Sequence, residues 1–261
     1  MDNVSELTAL FDDASQRSKP LSQREPITDL LDTLLEEVIK HLRPELILEV
    51  GAFEASFSKK MKRDYPKSTV IALEANPRVF EHFHSSVEET GVRYKHVAAA
   101  ASPGIVNIHI PKVIAGKDMP KVGRMGSLLE VGLRDSVTEK VSVPCDTIDC
   151  ILSHEQFKTA CLWIDVEGFV EQVLQGARNT LSKSIVVYAE LESSPVWEGQ
   201  TLAPRIITSL EDEGFVLVAR DCQKWFQFNA LFVRKEVLEA EWLVSAVERF
   251  AAEAKTAFLS N

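Results

Sequence analysis

Hydrophobic and polar residues follow two rhythms along this chain, and the points where one gives way to the other mark its elements. The run Leu46-Ile47-Leu48-Glu49-Val50 is short and apolar, as a strand buried on both faces is. At Gly51 that pattern breaks. From Phe57 it becomes helical, with Phe57, Met61 and Tyr65 four apart on one face. Strand, turn and helix then recur. Ser68 to Leu73 ends at Glu74, Asn76-Pro77 supplies a cap and a first helical residue, and Val79, Phe80, Phe83 and Val87 form the buried face. Gly91 stops that helix, and Tyr94 to Ala101 reads as a third strand. Such alternation predicts parallel strands joined by right-handed crossovers.

Between 105 and 144 the rhythm changes. Ile105 to Ile110 alternates like an edge or hairpin strand, Ala115 to Gly132 is glycine-punctuated and charged, and Val141-Ser142-Val143 follows. This reads as an insertion carrying a mobile loop. Asp146 to Leu152 is a short helix. The α/β pattern then resumes with a strand Cys161 to Ile164 ending at Asp165, and a helix carrying Val170, Val173, Leu174, Ala177 and Leu181. A strand Ser184 to Ala189 ends at Glu190, and a helix bears Leu202, Ile206 and Leu210. Phe215–Ala219 and Phe226–Val233 are separated by too little chain for a crossover helix, so they pair antiparallel.

An amphipathic helix opening at Pro26, with Ile27, Leu30, Leu31, Leu34, Leu35, Val38, Ile39 and Leu42 in its stripe, is expected to pack beside the first strand. A last helix runs from about Glu236. The chain therefore divides into an N-terminal helical segment (1–43), an α/β domain (44–235) and a C-terminal helix (236–261). The fold class is α/β, a doubly wound sheet, mostly parallel with an antiparallel last strand.

Composition narrows the function. The 261 residues are 45% hydrophobic and carry a formal charge of −10. That balance disfavours nucleic acid and anionic membrane as partners. No apolar run reaches a membrane span, and the acidic N-terminus does not read as a signal peptide. Cys145, Cys150, Cys161 and Cys222 form no CxxC pair, which fits free thiols and a cytoplasmic setting.

The candidate chemistry lies where apolar strands end in acids: Glu49, Glu74, Asp165 and Glu190. In an open α/β sheet the ligand crevice lies at that edge. A dinucleotide site asks for G-x-G-x-x-G, but only Gly51 of such a set is present, and Glu54 stands where a diphosphate needs bare amides. Glu49 beside that turn suits a cationic ligand such as a sulfonium, and Glu74 is placed to bind two ribose hydroxyls.

Taken together, these motifs resemble the FkbM family of S-adenosylmethionine-dependent methyltransferases, within the class I methyltransferase fold. Glu49-Val50-Gly51-Ala52 resembles its opening motif and Glu74-Ala75-Asn76-Pro77 its ribose motif. Asp146-Thr147-Ile148-Asp149 is similar to the segment before its fourth strand, and Asn229 to Val233 to its last strand. Ile164-Asp165-Val166-Glu167-Gly168 with Val173-Leu174-Gln175-Gly176-Ala177 is similar to its central signature. The likeness covers about residues 44–235. Ala55 replaces a usual second glycine, and Val170 a usual second acid.

The resemblance implies S-adenosylmethionine as cofactor, with contacts from Glu49, Gly51, Ala52, Phe53, Phe57, Glu74, Ala75, Asn76, Ala98, Ser127 and Asp165. It also implies a hydroxyl on a small-molecule or carbohydrate-like acceptor; the alternatives are an N-methyltransferase or a non-catalytic ligand-binding or interaction module on the same fold. Asp165, Glu167 and Glu190 are the catalytic candidates. One acts as base, or Asp165 and Glu190 hold Mg2+; the metal-free version is preferred. Ala115 to Gly132 is expected to form a lid or acceptor wall, with Ser127 nearest the ligand. Trp197 either stacks on substrate as an exposed aromatic or packs. The terminal helices are candidates for a homodimer contact.

Overall fold

A computed structural model describes residues 2–13, 24–114, 116–120, 122–123, 126–130 and 135–260. The chain divides into two compact units. One comprises Pro44–Ser184 and Pro195–Leu202; the other comprises Met1–Arg43, Ile185–Ser194 and Ala203–Asn261.

The first of these holds the repeating βα pattern. Its strands β1 (Leu46–Val50), β2 (Thr69–Glu74) and β3 (Arg93–His96) alternate with helices α3 (Ser56–Asp64) and α4 (Pro77–Glu88). With β8 (Ala160–Ile164), they form a parallel array in the order β8-β1-β2-β3. Every residue of β1 is buried, which is why its sequence runs apolar without alternation. Asn76 caps α4 by accepting the Arg78 amide, 3.0 Å away, and Pro77 occupies the first turn.

Three sequence expectations change here. The stretch Tyr94 to Ala101 is not one strand. After β3 the chain turns at Val97, whose amide donates to Glu74 O, and β4 (Ala98–Ala99) joins a second sheet. That sheet has the order β4-β7-β5-β6, built mainly on a long antiparallel pairing of β5 (Gly104–Ile114) with β7 (Val137–Asp146). The short β6 (Lys117–Asp118) pairs with the end of β5. Ala98, Ala100, Ile108, Ile110, Val143 and Cys145 form its core. Much of the expected loop Ala115 to Gly132 lies within this unit, while 115, 121, 124–125 and 131–132 fall outside the described residues.

The helix expected from Val170 to Leu181 is two, α6 (Val170–Gln175) and α7 (Arg178–Lys183), after the single turn α5 (Ile148–Ile151). Gly176 lies between them. A Cβ there would stand 2.1 Å from Ala100 O, so only glycine lets the two backbones approach.

Trp197 is buried, with 2% of its surface exposed, which removes the exposed-aromatic expectation. Its indole occupies the space a Gly168 side chain would take, 2.6 Å from that missing Cβ.

In the other unit, β9 (Ser184–Glu192) runs past the expected end at Glu190 and pairs antiparallel with β11 (Gln227–Arg234). β11 also pairs antiparallel with β10 (Phe215–Arg220), as the short connection requires. Helix α8 (Ala203–Asp212) packs on β10. The sequence places α2 (Glu25–Leu42) beside the first strand; its stripe Ile27, Leu31, Leu34, Leu35, Val38 and Ile39 is seated on α9 (Glu241–Leu259) and β11. Helix α1 (Asp2–Asp12) also packs on α9. The terminal helices thus pack with strands of their own unit. Among the described residues no helix is long and apolar enough to cross a membrane.

Candidate functional site

The site begins with the turn after β1. Gly51 has φ +82°, and a Cβ on it would lie 1.8 Å from Asp165 O. The turn after β1 therefore sits directly against the end of β8, tied there by Asp165 N–H donating to Val50 O at 2.9 Å. Phe53 and Ala55 follow with φ 48° and 52°. Each left-handed non-glycine residue costs about 1–2 kcal/mol, so the turn needs compensating bonds. They come from β2 and β3. The Gly51 and Ala52 amides donate to Leu73 O, the Phe53 amide to Glu74 Oε2 at 2.8 Å, and Tyr94 Oη to Phe53 O.

Glu74 is the hub. Its second oxygen, Oε1, accepts the Asn76 amide at 2.7 Å, so two turns converge on one carboxylate. Burial pushes this acid up to about 7, against the pull of those amides. Glu49 is also pushed up to about 7 by burial. Its carboxylate accepts the Ser58 amide at 2.9 Å and so caps the first turn of α3, which Ala55 cannot do.

A cleft, partly open to solvent, is lined by Gly51, Phe53, Glu74, Ala75, Asn76, Val97, Ala98 and Ala99. Asp165, Val166 and Glu167 close it from the β8 end, and Ile108 of β5 with Gly123, Gly126 and Leu128 of the segment between β6 and β7 from another side. Three acids, Glu74, Asp165 and Glu167, thus line one cleft. Asn76 is 2% exposed, and its Nδ2 is buried without a hydrogen-bond partner while its Oδ1 caps α4. A buried donor left open at a cleft wall is unfavourable unless a ligand accepts from it.

The structure thus gathers Gly51, Phe53, Glu74, Ala75, Asn76, Ala98, Asp165 and Glu167 from the expected set. Glu49, Ala52, Phe57 and Ser127 lie close by in sequence or space but outside the lining. Phe57 packs on Trp163, ring centres 4.5 Å apart. Ser127 is a staple: its hydroxyl donates to Glu167 O at 2.6 Å and accepts the Leu129 amide at 3.0 Å. His109 and Ser127 exchange backbone bonds, which fix Gly126 and Leu128 against the cleft. Glu167 itself has φ 47°. Glu190 is buried in β9, in the other unit.

Sequence reasoning missed Ile108 as part of the wall, while Gly126 and Leu128 fall within the segment Ala115 to Gly132 expected beside the ligand. The stretch Ile105 to Ile110 reads only as an edge or hairpin strand, and nothing local says that Ile108 faces a cleft.

A family model described as the methyltransferase FkbM domain matches residues 37–217. The chain belongs to the FkbM methyltransferase family. This FkbM-family methyltransferase is 24% identical over 219 residues to methyltransferase sdnD of Sordaria araneosa, covering 73% of this chain and 81% of that protein. Among solved structures it is similar to methyltransferase FkbM from Methylobacillus flagellatus KT, with a TM-score of 0.47 and 11% identity. That match covers 72% of this chain and 43% of the other, so the chain spans less than half of that protein's length. It is also similar to precorrin-6y C5,15-methyltransferase from Geobacter metallireducens GS-15, with a TM-score of 0.37 and 12% identity over 74% of this chain and 80% of that one.

Proposed function

We propose that this FkbM-family methyltransferase uses S-adenosylmethionine to methylate a hydroxyl of a small or carbohydrate-like acceptor. The observation that carries the reading is the cleft wall at Glu74 and Asn76. There a buried carboxylate able to accept two ribose hydroxyls lies beside a buried amide donor with no partner. The acids at 74, 165 and 167 favour a cationic ligand over a polyanion.

Bound S-adenosylmethionine would supply an electrophilic methyl group on a sulfonium. The residues of this chain do the rest. Glu74 and Asn76 orient the nucleoside end, and the Gly51 turn packs against it. In-line displacement gains most of its rate from such positioning. Asp165, at the end of β8, takes the acceptor's hydroxyl proton. Glu167, held in a left-handed turn stapled by Ser127, adds negative charge at the acceptor side. The proposal gives no step to Mg2+.

The test is calorimetry with S-adenosylmethionine and NAD, followed by transfer of a labelled methyl group to panels of polyols, phenols and amines with and without chelator. Micromolar binding of S-adenosylmethionine and labelling of a hydroxyl support the reading. Binding of NAD alone ends it. Labelling confined to amines overturns the oxygen assignment, and activity lost to chelator and restored by Mg2+ overturns the metal-free step.

A further inference from the structure

We infer that Tyr94 is a positioning residue for the cofactor: its hydroxyl holds the Phe53 peptide in the one conformation that directs the Phe53 amide onto Glu74. This rests on the cofactor reading above and extends it to a residue outside the cleft lining.

The argument starts from the backbone. Phe53 is a non-glycine residue at φ 48°, a conformation it does not adopt without help. Its two peptide groups are committed in opposite directions. The N–H donates to Glu74 Oε2 at 2.8 Å, and the C=O accepts Tyr94 Oη. Without the second bond the turn loses its tie to the Tyr94 hydroxyl of β3, and relaxation swings the amide off Glu74. Glu74 would then keep the Asn76 amide and lose the one that sets its other oxygen. A carboxylate whose two oxygens are fixed can accept two hydroxyls at once; one held at a single oxygen turns more freely.

Tyr94 suits this role. Its ring is 3% exposed and packs on Phe80, ring centres 5.0 Å apart, so removing the hydroxyl alone leaves the packing in place. Two residues further along β3, His96 Nε2 lies 3.1 Å from Ala75 O. The strand thus presents two polar tips, one to each turn that converges on Glu74. The titratable groups around Glu74 include Glu49 from β1, Asp165 from the end of β8, Glu167 in the same cleft lining, His96 opposite it on β3, and Tyr94 itself. Burial beside Glu74 and Glu49 pushes the Tyr94 phenol up, so it remains a donor wherever Glu74 titrates.

The experiment compares Tyr94→Phe with Tyr188→Phe. Tyr188 is the matched control, a buried tyrosine whose hydroxyl donates to Asp32 at 2.7 Å in the other unit. Tyr94→Phe is expected to weaken S-adenosylmethionine binding about five- to tenfold, the value of one hydrogen bond. It should also move the pH midpoint of binding upward, because Glu74 loses an amide that favours its ionised form. In the ligand-free protein, hydrogen exchange at the Phe53 amide should quicken while the rest of β2 and β3 stays protected. Tyr188→Phe should leave all three unchanged. Wild-type affinity in Tyr94→Phe, unaltered Phe53 exchange, or an equal loss in Tyr188→Phe each overturns the inference. A wild-type protein that binds no S-adenosylmethionine refutes the proposed function, and the inference falls with it.

Discussion

Replacing Glu74 by Gln separates cofactor binding from folding more sharply than any other single change. Glu74 lies 8% exposed and is pushed by burial from its ordinary 4.5 to about 7. The gap, 7 − 4.5 = 2.5, corresponds to about 3 kcal/mol of cost for holding the charge in place above pH 7. The sign follows from the direction. A raised folded value means that the group's stabilising contribution is fully present below about pH 4.5 and is lost as pH rises through 7. Glutamine removes that charge but offers one acceptor oxygen for two amides, Phe53 and Asn76, at a cost of about 1–3 kcal/mol. At pH 8 the two effects roughly cancel, so the urea midpoint should move little. At pH 5 only the lost acceptor remains, and the variant should be the less stable protein. Affinity behaves differently. Losing charge-assisted bonds to two ribose hydroxyls is worth about 1.5–3 kcal/mol, or roughly ten- to a hundredfold in Kd. The wild type should bind S-adenosylmethionine about tenfold more weakly at pH 6 than at pH 8, following ionisation of Glu74. The variant should show no such slope. Calorimetry across that range, with urea unfolding at pH 5 and pH 8, reads both effects. A Glu74→Gln protein with wild-type affinity, or a wild type whose affinity ignores pH, would refute the reasoning.

Further tests follow from the same geometry. Gly51→Ala puts a Cβ 1.8 Å from Asp165 O at φ +82°, and should cost at least about 3 kcal/mol in urea unfolding; a change within about 0.5 kcal/mol would show that the turn can move. Asp165→Asn should lower methyl transfer about a hundredfold or more while S-adenosylmethionine still binds; unchanged turnover would remove Asp165 from the chemistry. Ser127→Ala breaks the bonds to Glu167 O and from Leu129 N–H, and should raise hydrogen exchange across 126–130 and the acceptor KM with little effect on cofactor affinity; unchanged exchange would mean that the wall holds without its staple.

The periodicity of the chain decided a good deal by itself. Apolar runs bounded by Gly51, Glu74 and Asp165 located β1, β2 and β8, and the Asn76-Pro77 pair located the start of α4. These signals are local: a strand's burial, a cap and a turn glycine act within a few residues, so the sequence carries them in full. The acids at strand ends were legible for the same reason. Tertiary structure decided where those groups point. Glu49 and Glu74 look alike in sequence, each beside a turn, yet one accepts the Ser58 amide of α3 and the other lines the cleft between two turns. Trp197 is core because Gly168, 29 positions away by the numbering, leaves room for its indole. The break at Val97, the division of α6 from α7 at Gly176, and the cleft wall from Ile108 to Leu128 each depend on where a distant backbone lies. The same holds for Tyr94, which reads as an ordinary strand residue until Phe53 O is found at its hydroxyl. Period and propensity act over one element, whereas close packing acts between elements, and the geometry of this cleft is set by the second.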